Sequence, residues 1–267
     1  NQHVLPTIDV ARLSRVEFDH EESFAGELLP SAIFDLEPDT LFVCDQAGNG
    51  LDYALVAVAS NARRDCRRPG VNLAEFGHNV LIHEEGKVTK GGVINTIHHP
   101  EGQPRQASIR ANRLMALQDP ALEGIWLHYE TDTEAGSSGA PLFSDEWQVV
   151  GLHHSGVEKR DQQGNVLAIG GGLWTEEMGE RMKWWYANEG LRISRFIAHA
   201  EQKVRAALEP DAIPVADCII TEIGQTLFEA MLKPAQDRAV VPRGVIPPTA
   251  RPLTPRRTER VPSRPDG

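Results

Sequence analysis

The chain has 267 residues, 40% of them apolar and 24% charged, and a formal net charge of −11. These are ordinary proportions for a folded globular protein, the acidity argues against nucleic acid as the main partner, and no apolar run is long enough to cross a membrane as a helix. Three cysteines make no disulfide framework, so the fold must rest on its core, and nothing in the composition calls for a cofactor.

In chain order, His3 comes first, within HVLP. Residues 13–18, 40–44 and 51–59 have strand character and are separated by Pro, Gly, Asn and Asp, with 45–50 (DQAGNG) as a turn. Residues 61–70 (NARRDCRRPG) form a solvated basic loop, and 76–82 lead into a second set of strands. That set covers 92–97, 106–111, 125–129, 140–143, 148–153 and 166–173. Two sets of short strands with frequent turns predict an all-β molecule, either two packed antiparallel barrels or a sandwich. The pattern then changes. Apolar residues at spacings of three and four predict a helix over 191–208, stopped by Pro210, and a second over 218–232. From Lys233 onward, eight prolines and eight Lys/Arg against three Asp/Glu predict a disordered basic tail or linker. The expected units are 1–75, 76–208, a helical extension at 209–232 and the tail at 233–267, with room for an additional domain beyond it.

The stretch TDTEAGSSGAP, residues 131–141, is where chemistry is expected. A serine packed between glycines and closed by proline suits a tight loop that exposes a hydroxyl and aims amide N–H groups at one point. Ser138 is the candidate nucleophile, and the amides of Gly136 and Ser138 are the candidate oxyanion donors. The same residue types also occur in plain surface turns. A serine hydroxyl needs a base, and an imidazole base needs a carboxylate to hold its tautomer. His3 and Asp52, which opens the run DYALVAV, are the candidates. The strand-to-helix elbow G-x-S-x-G does not fit, because Ala140 follows where glycine is required.

HVLP at His3, LDYALV at Asp52, GSSGAP at Ser138, VVGLHHSG at 149–156 and NTIHHPEGQPRQ at 95–106 together resemble the motifs of trypsin-like serine peptidases, in their bacterial glutamyl-endopeptidase-like branch. The resemblance covers about residues 3–208. It implies two six-stranded antiparallel barrels followed by a C-terminal helix. It also implies a polypeptide substrate, with His3 as base, Asp52 as its orienting carboxylate and Ser138 as nucleophile. It places Asp132, Thr133 and His153 at the specificity pocket. Thr133 and His153 match positions that bind an acidic side chain in that branch. Asp132 matches the carboxylate that favours Arg and Lys in trypsin, so acidic specificity is the narrow preference.

Only Asn1 and Gln2 precede His3, so the first barrel is expected to lack strands. A protease-like module that binds peptides without cutting them is the alternative. A bacterial cytoplasmic or secreted setting fits equally. The adjacent pairs His98–His99 and His153–His154 are read as structural rather than metal-binding, because neighbours on a strand point to opposite faces. Trp184, Trp185 and Tyr186 are expected to pack the C-terminal segment against the second barrel. Cys44 is read as a core residue and Cys66 as a loop thiol.

Overall fold

Short β-rich runs between turn residues produce a mostly β chain, with three α-helices among the described residues, seen in a computed structural model. The structure describes residues 1–232 apart from 47, 49, 110–111, 118–123, 131–134, 210–214 and 216. The predicted tail at 233–267 and the expected helix stop at Pro210 lie outside the described residues.

The first part holds α1 (Ile8–Leu13), β1 (Arg15–Phe18), β2 (Ala32–Asp35), β3 (Leu41–Asp45) and β4 (Tyr53–Val56). The second holds β5 (Asn95–His98), β6 (Gln106–Ser108), β7 (Leu114–Leu117), β8 (Trp126–Tyr129), β9 (Pro141–Phe143), β10 (Val149–Glu158) and β11 (Trp185–Arg192). After these come α2 (Ile193–Leu208), β12 (Cys218–Ile220) and α3 (Glu222–Leu232).

In the first part, β1 pairs with β2 and β4 with β3, all antiparallel. The chain beyond β4 joins the two pairs. Leu36 bridges Val58, the Ala59 amide donates to Asp35, and the Glu37 amide donates to Ala57. These contacts link a two-stranded sheet, β1-β2, to a three-stranded one, β12-β3-β4, in which β12 returns late in the chain to pair with β3.

The second part is a seven-stranded sheet in the order β6-β5-β9-β10-β11-β8-β7. It closes on itself. The amides of Gly91 and Ile94 donate to Leu114 and Asn112, and the Leu114 amide donates to Gly92, so β7 meets the segment entering β5. Six strands make the ring and β6 lies outside it, hairpinned onto β5. Closure removes the two edges that an open sheet would expose.

α2 carries Ile193, Phe196, Ile197, Ala200 and Val204 on its buried stripe. That stripe packs into one core with Leu41, Val43 and Tyr53 from the first part and Phe143, Val149 and Leu191 from the second. Burying each large apolar side chain contributes about 1.5–3 kcal/mol, so this helix ties both β parts together. Phe228 of α3 completes the same core.

Several sequence expectations need correction. α1, β2 and β7 were not foreseen. Residues 185–192 are strand, so the helix expected from 191 starts at Ile193, because β11 is held between β10 and β8. The predicted helix over 218–232 begins as a strand, since Cys218–Ile220 pairs with β3 before α3 starts. At 166–173 a tight turn through Gly170, Gly171 and Gly172, all at positive φ, replaces a strand. Trp184, Trp185 and Tyr186 are 39–44% exposed, and the Trp185 ring lies over Gly156 of β10. Cys44 is in the core, and Cys66 is a free thiol in a loop, partly buried against the Ala32–Phe34 cluster.

Candidate active site

Three separated segments converge. His3 lies in the turn before α1, Asp52 in the turn before β4, and Ser138 in the loop between β8 and β9. His3 Nε2 is 2.9 Å from Ser138 Oγ, and His3 Nδ1 is 2.6 Å from Asp52 Oδ2. The His3 amide also donates to Asp52 Oδ1 at 2.9 Å. Asn1 holds the N-terminal turn in place by donating from Nδ2 to the Asp52 carbonyl at 2.9 Å.

Asp52 is fully buried and has φ +46°, a left-handed conformation that aspartate tolerates better than most residues. Burial alone would push its carboxyl up. The hydrogen bonds from His154, the His3 amide and the His3 ring outweigh that together and hold it down at about 2. As a carboxylate it can only accept, so His3 Nδ1 carries the ring proton and the Nε2 lone pair faces the Ser138 hydroxyl. The arrangement can therefore take a proton from Ser138 while the buried negative charge stabilises the imidazolium that forms.

The loop around Ser138 is built by close approach. Gly136 has φ +93°, and a Cβ there would sit 3.1 Å from the His99 carbonyl and 3.2 Å from the Glu101 and Gly102 amides. Only glycine meets both conditions. The HHPEG turn buttresses the loop from below, with the Glu101 amide donating to Ala135 at 2.6 Å. Ser137 Oγ lies 2.8 Å from His98 Nδ1 in the interior. On the other side, the Gly139 amide donates to His153 and the His153 amide to Ala140, each at 2.9 Å. Among the described residues, the Gly136 and Ser138 amides donate to no protein acceptor.

The adjacent histidines of β10 divide as strand geometry requires. His153 is buried, with Nδ1 2.7 Å from the Tyr129 hydroxyl. Burial, then the charges of His154, His98 and His3, push it down to about 4, so it is neutral at pH 7. Burial also pushes the Tyr129 phenol up, so it stays a donor. His153 Nδ1 can then accept from that hydroxyl, and in that tautomer the ring proton sits on Nε2. Asp132 and Thr133, the other two pocket residues expected from the sequence, lie outside the described residues.

His154 was not foreseen at this site. Its Nδ1 is 2.7 Å from Asp52 Oδ2, the same oxygen that His3 approaches. Trp126 stacks on it at 4.7 Å between ring centroids. Its Nε2 is 3.7 Å from Glu189 Oε1, and Glu189 Oε2 is 2.8 Å from His128 Nε2. The sequence points to His153 as a pocket residue and gives His154 no role beyond a structural one. The cross-strand register that brings Glu189 opposite His128 is set by β11, which was itself missed. Among the described residues, His3, Asp52 and His154 form a group of three whose donor atoms all lie within 4.8 Å of one another, close enough to hold a metal ion.

Residues 1–152 match the trypsin-like peptidase domain. An uncharacterized protein of Sinorhizobium fredii, y4fB, is 31% identical over 254 residues, which is 88% of this chain and 37% of that protein. The chain therefore spans 37% of the length of that relative. Among solved structures, a Glu endopeptidase is 15% identical over 72% of this chain and 73% of its own, with a TM-score of 0.39. The Rv3671c protease of M. tuberculosis in its active form is 15% identical over 78% of this chain and 74% of its own, with a TM-score of 0.37.

Proposed function

The chain belongs to the trypsin-like peptidase family, and from that premise we propose that it is a serine endopeptidase in which Ser138, His3 and Asp52 act as a triad. His3 takes the Ser138 proton as Oγ attacks the scissile carbonyl. The Gly136 and Ser138 amides bind the oxyanion that develops. The leaving amine takes the proton back from His3. Water, deprotonated by the same imidazole, then hydrolyses the acyl-enzyme. The observation that carries this reading is the unbroken line from Ser138 Oγ through His3 to the buried Asp52 carboxylate, at 2.9 and 2.6 Å. The family resemblance supplies the donor assignment, and two amides that have no acceptor among the described residues agree with it.

The proposed substrate is a polypeptide cut after an acidic residue. What supports this preference is His153. Neutral, with Nδ1 committed to Tyr129, it offers Nε2–H as a donor of the kind a carboxylate side chain accepts. Residues 1–75 and 76–208 would then be the two barrels, with 209–232 as an extension and the catalytic groups drawn from both barrels.

Labelling with a phosphonate ester that captures activated serines tests the mechanism, and cleavage of a peptide library tests the specificity. One label per chain on the wild type and none on Ser138→Ala is the expected result, with cuts following Glu or Asp. Absence of both labelling and cleavage in the wild type would falsify the enzymatic reading. Cuts after Arg or Lys would instead assign the pocket to the charge of Asp132.

A further inference from the structure

A single buried carboxylate oxygen, Asp52 Oδ2, is approached by two imidazole Nδ1 atoms, at 2.6 Å from His3 and 2.7 Å from His154. One of these bonds is all the proposed triad needs. We infer that His3, Asp52 and His154 also form a binding site for a divalent transition-metal ion of the zinc type, and that the bound ion arrests the triad.

The donor set is two imidazole nitrogens and one carboxylate oxygen, which suits zinc and its borderline neighbours rather than magnesium or calcium. All three donor atoms already lie within 4.8 Å of one another. Bonds of about 2.0–2.2 Å in tetrahedral geometry separate ligand atoms by roughly 3.3 Å, so the two short contacts, at 2.6 and 2.7 Å, need to open by about 0.6–0.7 Å. His3 sits on a turn and its side chain is 40% exposed, so it can make that adjustment and leaves a path for the ion. The alternation of neighbours on a strand does not stand against the site. His153 turns to Tyr129 while His154 alone turns to Asp52.

The surroundings of His154 supply the second observation. A metal-bound imidazole commonly donates its other N–H to a carboxylate, which fixes the ring and raises its basicity. His154 Nε2 faces Glu189 Oε1 at 3.7 Å, and Glu189 is fixed in turn by His128 at 2.8 Å. Trp126 stacked on the ring limits its rotation. With Nδ1 protonated toward Asp52, a neutral His154 turns an Nε2 lone pair on Glu189. With Nδ1 on a metal, it turns an N–H there instead. The carboxylate behind the ring matches the metal-bound tautomer.

The consequence for catalysis follows from proton positions. When an ion takes Nδ1 of a neutral imidazole, the ring proton moves from Nδ1 to Nε2, with no net gain or loss. For His3 this places an N–H against Ser138 Oγ, where the free lone pair has to be. Asp52 is at the same time committed to the ion. Ser138 then keeps its proton and stays unreactive, and removal of the metal restores the lone pair. This part of the inference rests on the serine peptidase reading, whereas metal binding itself does not.

The test separates the two. Calorimetric titration of the catalytically inert Ser138→Ala chain with zinc chloride should show one ion per chain. In that background His154→Gln removes a ligand, and Glu189→Gln keeps every ligand but loses the carboxylate behind the ring. Each should weaken zinc about 10-fold or more, while thermal melts report whether both variants fold. Cobalt(II) should develop visible absorption bands that are lost in His154→Gln. In the wild type, zinc should suppress phosphonate labelling of Ser138 with the midpoint seen by calorimetry, and a chelator should restore it. Zinc binding unchanged by both substitutions, or binding that leaves labelling intact, overturns the inference. If the metal-free wild type does not label at all, the peptidase reading fails, and the Ser138→Ala titration still decides whether the site exists.

Discussion

Asp52 is the residue on which the site depends. It is buried, its backbone is in a conformation few residues adopt, and it receives two rings and one amide. Replacing it by Asn leaves the shape but removes the charge that holds the proton on His3 Nδ1. Asp52→Asn should fold, keep KM within a few-fold and lower kcat by about 10⁴, because the imidazole then presents the wrong tautomer to Ser138. Steady-state kinetics on a good peptide substrate checks this, and an equal loss in KM would point to a binding role instead. His3, Asp52 and Ser138 could be picked from the sequence because their motifs are local. Gly136 and the HHPEG turn were also legible as motifs, but their close approach to each other was not. The need for glycine comes from the His99 carbonyl and the Glu101 and Gly102 amides, more than thirty residues away in sequence. The contacts of His154 were not legible for a related reason. Its partners Asp52, Trp126 and Glu189 come from three different segments.

At the level of elements, β10 and β11 are the spine of the second sheet. β10 carries His153 and His154 past the Ser138 loop, and β11 places Glu189 behind them. Their contact is tight at Gly151, where a Cβ would lie 2.8 Å from the Leu191 carbonyl and 2.9 Å from Leu127 Cδ1. The first of these is backbone and cannot swing away. Gly151→Ala should cost about 1–3 kcal/mol in urea unfolding, through strain that the strand pair must absorb. Stability equal to the wild type would mean that the strands separate more freely than their register implies. The helix expected over 191–208 was legible from its stripe of Phe196, Ile197, Ala200 and Val204. Its start was not, because 185–192 mixes polar and apolar residues without a clean period. Pairing on both sides, to β10 and to β8, makes it a strand. Cys218–Ile220 is the same case on a smaller scale, recruited by β3 across most of the chain length.

At the level of the whole molecule, the site and the core share an acid-sensitive interior. Burial depresses His98, His153 and His199, and His153 reaches about 4 against an ordinary 6.5. A depressed group takes its proton in the unfolded chain first. Its stabilising contribution is complete above pH 6.5 and is lost as the pH falls toward 4. For His153 the shift corresponds to roughly 3 kcal/mol, with His98 and His199 acting in the same direction. The Asp52 contribution disappears lower still, between the ordinary carboxylate range and about 2. Urea unfolding at pH 7, 5.5 and 4.5 should therefore show stability falling steadily. His153→Gln, whose amide can still meet Tyr129, should flatten the upper part of that slope. A wild type equally stable at pH 7 and 4.5 would rule out this account.

Composition, strand spacing and five short motifs were enough to indicate an all-β trypsin-like peptidase and to point to His3, Asp52 and Ser138. Each of those signals is carried by neighbours in the chain, and local chemistry is what a linear pattern records. The closure of the second sheet, the core that α2 shares between the two β parts, and the second imidazole on Asp52 were decided by tertiary structure alone. They depend on groups brought together from up to about 150 residues apart, and which of those distant groups meet is settled by the packing of the sheets, not by any spacing along the chain.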